Sequence, residues 1–136
     1  MGEDTLKRDP PEIEVELSIP LSELAPRAAR LVLAEVIDVS EPALSVAQLL
    51  LSEVLSNSVR ESRLAPNSPM RVRVWTDPGT IRIEVEDAGF GFTLPPSPGQ
   101  LSEDSWALYL VSYLADEWGV DRPGNTTRVW FEIRLT

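Results

Sequence analysis

Residues Ile81 to Phe92 read IRIEVEDAGFGF, and the rest of the chain is understood from this stretch. Ile81, Ile83 and Val85 alternate with Arg82, Glu84 and Glu86, the period-2 pattern of a half-buried strand. Carried one step further, the same parity sets Asp87 on the apolar face. A carboxylate there is costly unless hydrogen-bond donors meet it. Gly89 and Gly91 follow at once, residues that let a backbone pass close to a ligand. A buried acceptor at a strand end, followed by a glycine-punctuated loop, describes a site for a flat, amine-bearing ligand. An Asp-Ala-Gly turn between two strands would explain the same residues by ordinary turn preferences. Other motifs are needed to separate the two.

Upstream, Arg71 to Trp75 alternates as a strand, and Asp77-Pro78-Gly79 turns it back into Ile81, which predicts a hairpin. Nearer the N-terminus, Ile13, Val15, Leu17 and Ile19 alternate with Glu12, Glu14, Glu16 and Ser18, and Pro20 stops the strand. The glutamate row blunts an edge. Between these strands the period becomes helical. Ser22 caps a helix running to about Ile37, and Ser40 caps a second over Glu41 to Ser62, with Pro42 in its first turn. The second helix has an apolar stripe of Leu44, Ala47, Leu51, Val54 and Leu55. Glu53, Asn57 and Arg60 form a line down another face, with Glu61 beside them. That line is either a solvated helix face or a site, and Leu49 and Leu50 extend it with apolar residues.

After Phe92, the proline-rich stretch 93–104 reads as a surface loop. Residues Ser105 to Gly119 read as a third helix that buries Ala107, Leu108, Leu110, Val111, Leu114, Ala115 and Trp118, with Gly119 as its stop. The last strand points Val129, Phe131, Ile133 and Leu135 inward, with Trp130, Glu132 and Arg134 on the other face. The order β-α-α-β-β-α-β predicts an α/β two-layer sandwich: a mixed, mostly antiparallel sheet with three helices on one face. Residues 1–11 are expected to be a disordered tail and residues 12–136 a single domain. Trp75 and Trp130 share the helix-free face with arginines. They mark either a protein interface, such as a homodimer through the sheet, or aromatics covered by arginine stems.

Composition narrows the chemistry. The 136 residues carry a formal net charge of -10, which argues against nucleic acid or an anionic membrane as partner. Cysteine and histidine are both absent, which excludes disulfides, thiolate or imidazole metal sites and histidine-based acid-base catalysis. A general base must then be Asp or Glu. No apolar run approaches the roughly 20 residues of a membrane span, and the N-terminus lacks a secretory h-region, so a cytoplasmic location is expected.

Three stretches together resemble the GHKL (Bergerat-fold) ATPases, and among them the small bacterial anti-sigma-factor serine/threonine kinases of partner-switching systems. They are Glu53-Val-Leu-Ser-Asn57 (the N box), Asp87-Ala-Gly89-Phe-Gly91-Phe92 (the first glycine box) and the ending from Trp118-Gly119-Val120 to Thr127-Arg128-Val129-Trp130-Phe131-Glu132. The resemblance spans about residues 12 to 135. It implies ATP/ADP and Mg2+ as ligands. Asp87 would accept from the adenine amine, with Gly89, Gly91 and Phe92 beside the nucleotide. Asn57 would ligate magnesium, Glu53 would be the general base, and Arg60 and Thr127 would lie near the phosphates or the adenine. The second glycine box would fall at Ser105, Ala107 and Leu108, and the stretch 93–104 would be the ATP lid. The implied partner is a sigma factor or an anti-sigma-factor antagonist.

The sequence departs from the family pattern at two places. Ser105-Trp106-Ala107-Leu108 stands where Gly-x-Gly-Leu is usual, and Glu61 stands where His or Tyr is frequent. Two functions follow: an ATP-dependent protein serine kinase, or a non-catalytic module on the same fold that sequesters a partner with weak or no nucleotide binding. The ATP-binding half of a two-component histidine kinase fits less well, because no histidine and no dimerisation helix pair are present.

Overall fold

The computed structural model describes residues 13–20, 22–36, 41–61, 68–87, 106–121, 124 and 126–135. Gly89, Gly91, Phe92 and Ser105, the tail 1–11, the cap at Ser40 and the stretch 93–104 lie outside the described residues, as do the side chains of Arg60 and Glu61. In chain order the elements are β1 (Ile13–Pro20), α1 (Ala25–Val36), α2 (Glu41–Glu61), β2 (Pro69–Asp77), β3 (Thr80–Asp87), α3 (Trp106–Leu114), β4 (Glu117–Asp121) and β5 (Thr127–Arg134). The strands form one sheet in the order β1-β2-β3-β5-β4, and every neighbouring pair is antiparallel. With helices packed on one face, this is the two-layer α/β sandwich that the sequence predicts.

Register explains the core. Val72 of β2 lies opposite Val85 of β3, which lies opposite Val129 of β5 and then Val120 of β4. One row on, Val74, Ile83 and Phe131 repeat the arrangement, and each of these seven residues except Val120 is buried. Full burial of each such side chain contributes about 1.5–3 kcal/mol. Helix α1 sets Ala25, Ala29 and Leu33 against this layer, a spacing of one helical stripe. Helix α2 is the central one, and Ala47, Leu50, Leu51, Val54 and Leu55 are all essentially inaccessible. The predicted hairpin is present: Asp77 Oδ1 accepts from the Gly79 amide at 2.9 Å, closing the turn between β2 and β3.

The third helix is shorter than its sequence suggests, and a fifth strand follows it. The Ala115 amide makes a last helical bond to the Val111 carbonyl, 2.9 Å away. Asp116 then turns the chain into the sheet. Its amide donates to the Glu132 carbonyl at 2.9 Å, and its Oδ2 accepts from the Arg134 amide at 2.6 Å. Trp118 is therefore on an edge strand and 37% exposed, rather than in a buried helical stripe. Gly119 is no helix stop either. It lies opposite Trp130, and a Cβ placed on it would sit 2.6 Å from the indole Nε1.

The helix-free face of the sheet is closed by charge. Arg82 reaches Glu132 Oε2 at 2.9 Å and Glu84 Oε2 at 3.0 Å, while Arg73 reaches Glu84 Oε1 at 3.4 Å. The Arg82 guanidinium lies 4.2 Å from the Trp130 ring centroid, and that of Arg73 lies 5.6 Å from that of Trp75. A guanidinium thus lies over each indole. Glu84 and Glu132 are each only 8% exposed, so removing Arg82 takes a charge partner from two shielded carboxylates. Arg82→Ala is expected to lower unfolding free energy by about 2–3 kcal/mol in urea titration. Arg71→Ala removes a cation whose side chain is 57% exposed and is expected to change it by less than about 0.5 kcal/mol. Gly119→Ala, which forces a methyl into the Trp130 indole, is expected to cost about 1–3 kcal/mol in the same measurement.

Candidate functional site

Helix α2 turns more than its apolar stripe inward. Asn57 and Ser58, near its C-terminal end, are 1% and 0% exposed. Opposite them stand the last residue of β3, Asp87, and the first of β5, Thr127, which are register partners and each 1% exposed. Four polar side chains from three elements therefore occupy positions that would otherwise be core. The period-2 parity of β3 places Asp87 there, as the sequence predicts. The line Glu53, Asn57, Arg60 on α2 is not a solvated face, because Asn57 is buried and Glu53 half-buried.

One contact ties helix to sheet at this point. The Ser58 hydroxyl donates to Asp87 Oδ2 at 3.1 Å, across 29 positions of chain. Asn57, Asp87 and Thr127 make further interactions as well. A carboxylate so enclosed is tolerated because donors meet it. Sequence reasoning missed Ser58. Its only signal is position: it lies four residues after Val54 and seven after Leu51, on the apolar stripe, where a lone hydroxyl calls for a polar partner.

A recess of about 330 Å³ opens at this end of the sheet, lined by Ser18, Pro69, Met70, Arg71, Glu86, Asp87 and Thr126. Its charged rim is internally paired: Glu86 accepts from Thr126 Oγ1 at 2.8 Å and lies 3.8 Å from Arg71 and 3.6 Å from Arg73. Of the sequence-predicted site residues described, only Asp87 lines it. Glu53 and Asn57 stand on α2, away from its walls. Ala107 and Leu108, in the first turn of α3, have buried side chains, each 2% exposed. The backbone of Arg60 continues α2, while its side chain, like Gly89, Gly91, Phe92 and Ser105, is outside the described residues.

Among the described residues no group of three or more Asp, Glu, His or Cys could hold a metal ion, so these side chains form no all-protein metal cage. Asn57 offers a neutral oxygen, the donor type that suits a hard cation whose other ligands come from phosphate and water. Among the described residues no helix is long and apolar enough to cross a membrane.

Comparison with known proteins agrees with this geometry. A family model described as a histidine kinase-like ATPase domain matches residues 20–133. No curated protein matches the sequence. Among solved structures, the chain is similar to the RsbU and RsbW domains of Rv1364c from Mycobacterium tuberculosis, with a TM-score of 0.71 and 20% identity. The match covers 94% of this chain and 34% of the longer one, and at that identity it speaks for the fold.

Proposed function

Since the chain belongs to the histidine kinase-like ATPase domain family, we propose that it binds ATP with Mg2+ and acts as an anti-sigma-factor-type serine/threonine protein kinase of a partner-switching system. The observation that carries this reading is Asp87, a buried carboxylate at a strand end that forms part of a recess wall. Such a group is matched by the exocyclic amine of adenine, a donor that replaces lost hydration. The similarity to a structure containing an RsbW domain supports the kinase subfamily. The partner would be a sigma factor or its anti-sigma-factor antagonist, met in the cytoplasm.

In this reading Thr127, the register partner of Asp87, assists at the base, together with Gly89, Gly91 and Phe92. Asn57 holds Mg2+. Arg60 and the backbone amides around Ser105, Ala107 and Leu108 meet phosphate, the last through the helix N-terminus. Bound Mg-ATP would supply the phosphoryl group. Glu53, one helical turn before Asn57, takes the proton of the attacking serine hydroxyl. Its half-buried position keeps it accessible to a partner's side chain.

A second reading, a docking module that sequesters its partner without catalysis, is favoured by Ala107, whose methyl is buried where the family usually has glycine. Calorimetric titration with Mg-ATP and Mg-ADP separates the two, since only the first reading requires binding. Asp87→Asn turns one acceptor into a donor facing the adenine amine. It is expected to weaken ADP at least about 100-fold with little change in melting temperature. Glu53→Ala is expected to keep nucleotide affinity and end phosphorylation of the partner protein; equal phosphorylation would remove Glu53 as the base.

A further inference from the structure

Serine hydroxyls inside helices ordinarily bond back to their own helix. Among the described residues, Ser52 donates to the Gln48 carbonyl and Ser112 to the Tyr109 carbonyl in this way, both at 2.7 Å. Ser58 departs from that habit. Its hydroxyl turns out of α2 and donates to Asp87 Oδ2 on the neighbouring layer, at 3.1 Å, with Ser58 0% and Asp87 1% exposed. Ser58 does not line the recess, whereas Asp87 does. The hydroxyl holds the carboxylate from the helix side.

From this geometry we infer that Ser58 is a positioning residue that makes the site select a 6-amino purine over a 6-oxo purine. The inference rests on the nucleotide reading above and deepens it. An ionised carboxylate only accepts hydrogen bonds. Held in one orientation, it attracts a 6-amino group, a donor, and repels a 6-oxo group, an acceptor. A carboxylate held by one hydrogen bond fewer turns more readily from the oxo oxygen or lets a water bridge the two, and discrimination falls. Rigid hydrogen-bonding sites reject the wrong donor-acceptor pattern far better than loose ones. The tether also couples the base-reading group directly to α2, the helix that carries Glu53 and Asn57.

The test is calorimetric titration of the full chain with ADP and with inosine diphosphate, both with Mg2+, for the parent protein, Ser58→Ala and Ser58→Cys. Thermal melts report whether each variant folds. The parent protein is expected to prefer ADP. Ser58→Ala is expected to shrink that preference about tenfold, the equivalent of one lost hydrogen bond. Ser58→Cys, similar in size with a weaker donor, is expected to fall between. If both nucleotides weaken by the same factor, or the preference is unchanged, Ser58 is only structural and the inference is overturned. Should Ser58→Ala not fold, Ser58→Cys decides by the same ratio. Failure of the parent protein to bind ADP removes the nucleotide reading and this inference with it. ADP binding with an unaltered preference in the variants removes this inference alone.

Discussion

A carboxylate that is 1% exposed has to be met by donors, and the hydroxyl of Ser58 meets Asp87 from across the layer boundary. This requirement constrains more than one side chain. It holds the C-terminal half of α2 against the end of β3, and it brings Asn57 and Glu53 to the same end of the sheet. It also explains why β3 ends and β5 begins with a polar residue: Asp87 and Thr127 are register partners at the point where the apolar rows stop. An unpaired buried polar group would cost about 1–3 kcal/mol, so the packing and the polar cluster support one another.

The other face of the sheet solves a different problem. A two-layer fold leaves one sheet face without helices, and here that face carries Trp75 and Trp130 beside a row of charges. Arg73 and Arg82 each serve two ends at once, covering an indole with the guanidinium plane and reaching carboxylates with its nitrogens. Exposed pairs of this kind contribute little one by one. Glu84 and Glu132 are nevertheless shielded enough that the network counts as a unit. The absence of a side chain at Gly119 completes it by admitting the Trp130 indole.

Much of this was legible in the chain itself. Strict alternation at Arg71–Trp75 and Ile81–Asp87 predicts both strands, their hairpin and the inward turn of Asp87, because successive side chains must point to opposite faces. The apolar stripe of α2 follows from spacing in the same way, whereas that of α1 does not: Leu24 and Leu31 are exposed, and Ala25, Ala29 and Leu33 are buried in their place. The fifth strand did not show itself. Residues 117–121 are few, and Trp118 and Val120 extend the apolar spacing of α3, so local pattern favours a longer helix. The strand exists because Asp116 exchanges hydrogen bonds with Glu132 and Arg134, residues distant in sequence. Ser58 stayed hidden for a related reason: a serine in a helix has no preferred long-range partner until a strand is laid beside it.

Sequence alone determined the element types, the acidic surface, the exclusion of histidine and cysteine chemistry, and the placing of one carboxylate among apolar residues. These follow from composition and from the two periodicities of the backbone, which are local properties. Tertiary structure decided that β5 inserts between β3 and β4, that arginine guanidinium groups lie over the indoles, and that Ser58 donates to Asp87 across the layer boundary. Each of those depends on atoms far apart along the chain meeting at hydrogen-bond distance, and no local pattern encodes such a meeting.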